Sequence, residues 1–258
     1  MASKDLVRTF THCELYFAAP SLFNDPFDCC PPFSTTYTES DLLYYYRKKN
    51  IPSECSETTR MELEAKLREF VYSKLNDEHF KSEMADHFMK ICRDVNRALG
   101  VLCLSEVPDD ILMWSHYADG HRGIVLQFDK SRLERAFSKC WCEKVDYNNN
   151  ILTLEEINSA SPDAEKFARL VLLKKEDRWK YENEWRIIID PSLNKHIPHC
   201  RIDRFPKEAL TGVIFGAEMS PEDKYAVQMW LKENNHQAQI YQAIRETGSY
   251  SLKIKPPL

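Results

Sequence analysis

The chain has no lysine or arginine block, no apolar run near the ~20 residues that a membrane helix needs, and no apolar core behind Met1-Ala2-Ser3-Lys4-Asp5. The first absence argues against a nucleic-acid arm, the second against a membrane partner and the third against a secretory leader, so the expected address is cytoplasmic. No GxGxxG fingerprint and no P-loop is present, and any nucleotide would have to be held in another way. Internal repeats, low-complexity stretches and linkers are also missing, which makes one domain over 1–258 the simplest account.

What is present is ordinary globular material. Of 258 residues 43% are hydrophobic and 12% aromatic, which excludes a disordered tail, a collagen-like fibre and a disulfide-stapled miniature scaffold. Thirty-five basic against 40 acidic residues leave a net charge of −5, and a local basic groove stays open. The nine cysteines are odd in number and scattered through apolar segments such as Leu102-Cys103-Leu104 and Ile91-Cys92, the pattern of reduced core thiols. The alternative gathers Cys29, Cys30, Cys140 and Cys142 with His196, His199 and Cys200 around a metal. No standard zinc spacing repeats, so no metal is expected.

The patterning predicts α+β, with mixed, mainly antiparallel sheets forming a cleft and a helical insert over 58–99. Glu14–Ala19 reads as a short strand ended by Pro20. From Thr58 to Leu99 apolar residues recur at helical spacing, with a break near Asn76-Asp77 and Gly100 as the stop. Strands are expected at Val101–Ser105, Gly123–Phe128, Cys140–Tyr147, Glu184–Ile189, Gly212–Phe215, Gln239–Ala243 and Ser251–Ile254. Ser220-Pro221-Glu222-Asp223 is a helix start, with serine as cap, proline in the first turn and carboxylates at the positive end of the dipole.

Three polar clusters carry candidate chemistry. In Phe23-Asn24-Asp25-Pro26-Phe27-Asp28, Asn24 and Asp25 can bond backbone amides, either to shape a ligand loop or simply to cap a turn. In the segment from Met113 to Gly123, Trp114 and Tyr117 offer flat faces, while His116, His121 and Arg122 suit a phosphate or ribose. The duller alternative makes Trp114 and Tyr117 core anchors and the histidines capping groups. In Trp179–Arg186, Glu182 and Glu184 would share a face if the segment is extended, and two carboxylates so placed suit an oxocarbenium-like centre. The bland reading is a solvated edge where they pair with Lys180 and Arg186.

The ordered blocks ELYFAAPSLFNDPFD, LCLSE, MWSHYADGHRGIVLQFD, the tyrosine of Lys144-Val145-Asp146-Tyr147, WKYENEWRIII and LTGVIFG together resemble the domain of unknown function 2971 family, a mainly bacterial group with no established reaction. A weaker resemblance, in the order of a Cys103-Leu104-Ser105 strand and a later Glu182-x-Glu184, is to ADP-ribosyltransferases. That resemblance implies an α+β fold gripping NAD as substrate, with Ser105 bracing the site, aromatics on the nicotinamide, Glu184 catalytic and Glu182 orienting the ribose or acceptor. The transition state would be an oxocarbenium ion steadied by a fixed carboxylate. Family members usually open on a lysine–tyrosine–arginine strand; here Asp5-Leu6-Val7-Arg8 stands there, so Arg8 would replace that arginine or Arg122 or His116 would meet the phosphates.

The expected function is therefore NAD cleavage with transfer of ADP-ribose to a nucleic-acid or protein acceptor, as a toxin or antiphage defence effector. Two readings compete with it. One is a metal-assisted hydrolase or nuclease using Asp25, Asp28, His116 and His121. The other is a non-enzymatic nucleotide sensor or adaptor whose helical insert binds a protein partner.

Overall fold

The structure is a computed structural model that describes residues 4–137, 140–160, 163–193 and 201–256. Its first half runs α1 (Lys4–His12), β1 (Glu14–Tyr16), α2 (Glu39–Asn50), α3 (Glu57–Lys74), α4 (Glu78–Ala98), β2 (Gly100–Ser105), α5 (Ile111–Tyr117), β3 (Ile124–Phe128) and α6 (Lys130–Ala136). There follow β4 (Trp141–Lys144), β5 (Asp146–Tyr147), α7 (Leu154–Ala160), α8 (Ala164–Leu172), β6 (Lys174–Lys175), β7 (Glu184–Ile189), β8 (Ile202–Arg204), β9 (Leu210–Phe215), α9 (Pro221–Glu233), β10 (Gln239–Arg245) and β11 (Leu252–Lys255). Helices and mixed sheets together make this an α+β protein. No helix among the described residues is long and apolar enough to cross a membrane.

Local chemistry explains the boundaries. Ser220 accepts from the Asp223 amide with proline in the first turn of α9, and Asp110 accepts from Leu112 and Met113 to open α5. Thr38 and Asp41 form a reciprocal capping box on α2. The break expected near Asn76-Asp77 separates α3 from α4, where the Asp77 carboxylate caps the Phe80 amide. In contrast, Asp5–Arg8, where the resemblance implied an opening strand, lies in α1. Arg8 is committed there to the Glu14 carboxylate, at 2.9 and 2.6 Å. Burial alone would raise the Glu14 pKa, yet hydrogen bonds from Arg8 and Arg204 hold it below the usual carboxylate value.

The chain divides into two compact units, where the sequence suggested one domain with an insert over 58–99. Unit 1 holds residues 1–22, 98–145 and 178–258; unit 2 holds 23–97 and 146–177. The predicted helical stretch thus falls inside a larger unit, completed by a second excursion of the chain. No composition marks the crossings because each lies beside an ordered element.

In unit 1 a three-stranded sheet of order β2-β7-β4 is antiparallel throughout, and a four-stranded sheet of order β11-β10-β9-β3 is parallel only between β10 and β9. Alternation sends Leu102, Leu104, Ile187 and Ile189 from the first sheet and Leu126, Val213 and Phe215 from the second into one core with Phe10, Phe17, Leu133 and Leu231. On its other face the four-stranded sheet packs Val125, Ile214 and Ala243 against Trp114 and Ala118. Unit 2 packs Leu42 of α2, Leu67 and Val71 of α3 and Phe80 and Met84 of α4 with Tyr37 and Leu154.

One turn of unit 1 depends on glycine. Asp119, Gly120 and His121 all have positive φ, at 49°, 58° and 66°, which aspartate, glycine and histidine tolerate better than most residues. The turn is clamped by Gly216, whose amide donates to the Gly123 carbonyl at 3.0 Å, while Glu218 donates to the His121 carbonyl at 3.0 Å. A Cβ at Gly216 would overlap the His121 carbonyl. Gly216→Ala is therefore expected to destabilise the chain by about 1–3 kcal/mol, read as a lower urea midpoint; an unchanged midpoint would show that the clamp is not tight.

Candidate functional site

The chemistry-bearing residues converge on β7, the central strand of the three-stranded sheet. Pairing with β2 sets Ser105 opposite Glu184, Leu104 opposite Trp185 and Cys103 opposite Arg186. Glu184 and Arg186 share one face and Trp185 and Ile187 the other, because strand side chains alternate. On the first face the Arg186 guanidinium grips the Glu184 carboxylate at both ends, Nε to Oε1 at 2.7 Å and Nη2 to Oε2 at 2.9 Å. Arg186 is 0% exposed and Glu184 3%. The bland pairing with Arg186 is thus real, but it lies in the interior rather than on a solvated edge.

Glu182 has a different setting. It ends a 3₁₀ turn over Asp177–Glu182, and Asn183 then turns into the left-handed region at φ 42° before β7 begins. The segment is not extended across 182–184, so the two glutamates do not stand on one strand face as the spacing suggested. Glu182 is 2% exposed, and its Oε1 accepts a hydrogen bond from the Tyr117 hydroxyl at 2.8 Å. Ser105 braces the same turn: its Oγ donates to the Glu182 carbonyl at 2.6 Å and accepts from the Val107 amide at 3.0 Å.

A cavity of about 570 Å³ opens in unit 1 beside β2 and β3, each an outer strand of its sheet. Leu104, Cys142 and Trp185 form one wall, Leu126 and Phe128 another, and Ser105, Trp114 and Tyr117 are also in the lining. The Lys130 ammonium sits 3.5 Å over the Trp185 ring, a cation–π contact. The indole N–H of Trp185 donates to Glu106 at 2.8 Å, and Lys144 reaches the other Glu106 oxygen at 2.7 Å. Those two hydrogen bonds hold the Glu106 carboxyl below its ordinary pKa. Burial and a hydrogen bond to Glu134 push the Cys142 thiol up to about 12, which keeps this cavity-lining sulfur protonated at neutral pH.

The remaining sequence candidates scatter. Trp114 is 1% exposed, donates Nε1–H to the Pro108 carbonyl at 2.8 Å and stacks on His121, so it is chiefly a core anchor with one edge at the cavity. His121 also contacts Ser115 Oγ at 3.1 Å. His116 lies in the last turn of α5, edge-on to Tyr117, and Arg122 pairs with Asp119 at 3.2 Å on the exposed surface. None of these three is in the cavity lining. Asn24 and Asp25 belong to unit 2, where Asp25 Oδ1 accepts from the Phe27 amide at 2.9 Å and Asp28 pairs with buried Lys175 at 3.2 Å. The proposed hydrolase set is thus divided, Asp25 and Asp28 in one unit and His116 and His121 in the other.

For the metal alternative, Cys29 and Cys30 are in unit 2 and Cys140 and Cys142 in unit 1, while His196, His199 and Cys200 lie outside the described residues. Among the described residues no three His, Cys, Asp or Glu side chains are grouped to hold an ion. The residues that sequence reasoning passed over are Lys130, Glu106 and Trp185. Trp185 stood inside a flagged block, and only strand alternation reveals that it, rather than Glu184, faces the cavity.

Removing one partner of a buried ion pair takes away the charge that offsets the other's burial. Glu184→Gln is expected to lower stability by about 3–5 kcal/mol, whereas Glu184→Leu with Arg186→Met restores most of the loss. Chemical denaturation of the three chains checks this; equal stability of the wild type and Glu184→Gln would refute a structural role for the pair.

No curated protein and no solved structure matches the chain. Residues 113–187, which carry Tyr117, Glu182 and most of β7, match the model of the family described as Protein of unknown function (DUF2971), the family that the motif blocks resemble.

Proposed function

We propose that unit 1 is the catalytic unit of an enzyme that cleaves the nicotinamide–ribose bond of NAD and transfers ADP-ribose to a macromolecular acceptor. The observation that carries this reading is the array of Ser105, Tyr117 and Glu182: two cavity-lining hydroxyls joined to one turn, one through its carbonyl and one through its carboxylate. A cavity of about 570 Å³ lies within the size range of nucleotide-type sites. Tyr117 and Trp185 supply ring faces, and Lys130 is a cation within the lining that suits a phosphate.

In the reaction the C1′–N bond of the ribosyl pyridinium breaks and its electron pair returns to the ring nitrogen, leaving neutral nicotinamide. Positive charge passes to the C1′–O4′ unit, and an acceptor oxygen or nitrogen adds at C1′ with loss of its proton. A fixed negative charge near that centre lowers the barrier most where water is excluded. On this reading Glu182 supplies it, acting through the Tyr117 phenol that it orients, and Ser105 keeps the turn in place. Glu184 serves instead to hold Arg186, a change of role from the assignment that the family resemblance implies.

The test follows nicotinamide release by chromatography from the purified chain with NAD, with and without DNA, RNA or a protein extract. Glu182→Gln is expected to lower release by about 10²-fold or more, and Tyr117→Phe by about tenfold, both with near-normal melting. A folded Glu182→Gln chain that releases nicotinamide at the wild-type rate would refute the mechanism. Saturable NAD binding without release by the wild type would favour the sensor reading.

A further inference from the structure

One arrangement in the cavity of unit 1 plays no part in the bond-breaking step: a cation resting on an aromatic ring. Trp185 stands on the central strand β7, with Leu104 opposite it on β2 and Lys144 opposite it on β4, so its backbone is held from both sides. Its indole N–H is held as well, by Glu106 at 2.8 Å, and the second Glu106 oxygen takes Lys144 at 2.7 Å. The ring is a fixed platform, and what lies on it is movable. The Lys130 ammonium, 3.5 Å over the ring, comes from the first residue of α6 on a flexible four-carbon stem. That side chain is 48% exposed, and its ion pair with Glu134, at 3.3 Å, is open to solvent too.

The magnitudes decide what this contact can resist. A cation on an exposed ring is worth about two- to fivefold in an equilibrium constant, and an exposed ion pair one helical turn long about twofold. A nucleic base stacked on an aromatic side chain is worth about fivefold to more than a hundredfold. A base that reaches the Trp185 face therefore displaces the ammonium, which then needs an anion.

We propose that Lys130 is an exchangeable placeholder on Trp185: a nucleotide lays its base on the ring, and the displaced ammonium turns to the phosphate of the same molecule. This rests on reading the cavity as a nucleotide site, and it makes Lys130 the residue that selects a phosphorylated ligand over the bare nucleoside. Both partners of the exchange line the cavity, so one ligand can meet them together. A nucleoside displaces the ammonium and offers it no charge, while a free phosphate leaves the ring face unfilled. Only a molecule that carries base and phosphate satisfies both.

Isothermal titration of the full chain with AMP and with adenosine, for the wild type and for Lys130→Met, tests the exchange. The wild type is expected to bind AMP about ten- to a hundredfold more tightly than adenosine, the worth of a hydrogen-bonded charge contact. In Lys130→Met, which keeps the apolar stem and removes the charge, AMP weakens, adenosine tightens by about two- to fivefold, and the difference between the two ligands closes. Weaker AMP with unchanged adenosine would overturn the exchange, because Lys130 would then bind phosphate without vacating the ring. An unchanged ratio in the folded variant would also overturn it, and so would a wild type that binds adenosine as tightly as AMP or binds neither, outcomes that need no variant. Nicotinamide release from NAD separates this result from the reaction: release with an unchanged ratio sinks the exchange alone, and the expected ratios without release sink the NAD-cleaving reading alone.

Discussion

A guanidinium and a carboxylate that leave water together set the terms for unit 1. Desolvating two charges costs several kcal/mol per ion, and the cost is recovered only where geometry is good and the remaining polar atoms are satisfied. Glu184 and Arg186 meet that condition because they stand two residues apart on one strand, where alternation places them side by side and two parallel N–H···O contacts fit. A one-residue slip of β7 would carry both charges to the apolar core and Ile187 out of it. The pair therefore specifies register as well as occupying space, and the placement of Trp185 toward the cavity follows from it.

The turn before β7 depends on the same register. With Glu184 opposite Ser105, the serine is the last residue of its strand and lies where its hydroxyl can hold the Glu182 carbonyl. Asn183 absorbs the change of direction in a left-handed conformation, which asparagine tolerates better than most residues. The Glu182 carboxylate, which precedes that turn, accepts from the Tyr117 hydroxyl. Two acidic residues of similar appearance thus bond different groups on the two sides of the turn, Arg186 for Glu184 and the cavity-lining Tyr117 for Glu182.

Much of this was legible in the residues, and the limits have physical causes. The Glu184–Ile189 strand is read from its β-branched run, the α3–α4 break from Asn76-Asp77 and the start of α9 from Ser220-Pro221, because each is a strong local signal. Short helices such as α1, α5, α7 and α8 have too few turns for periodicity to register. At the site, the serine, tyrosine and glutamates were all visible, yet their grouping depends on the antiparallel pairing of β2 with β7, which no local pattern encodes. A shared face for Glu182 and Glu184 requires an extended backbone over 182–184, and Asn183 turns it.

The strand order β2-β7-β4 also has a temporal meaning. β2 and β4 are made first and do not pair with each other; both wait for β7, which follows the second excursion of the chain into unit 2. Until β7 is made, the edges of β2 and β4 that it covers have no strand partner, although Val101 of β2 bridges to the earlier Ala18 on its other side. Completion of unit 1 thus awaits late segments, β7 for the three-stranded sheet and β9 for the four-stranded one, and a ribosome that stalls before residue 184 leaves β2 and β4 without the strand that joins them.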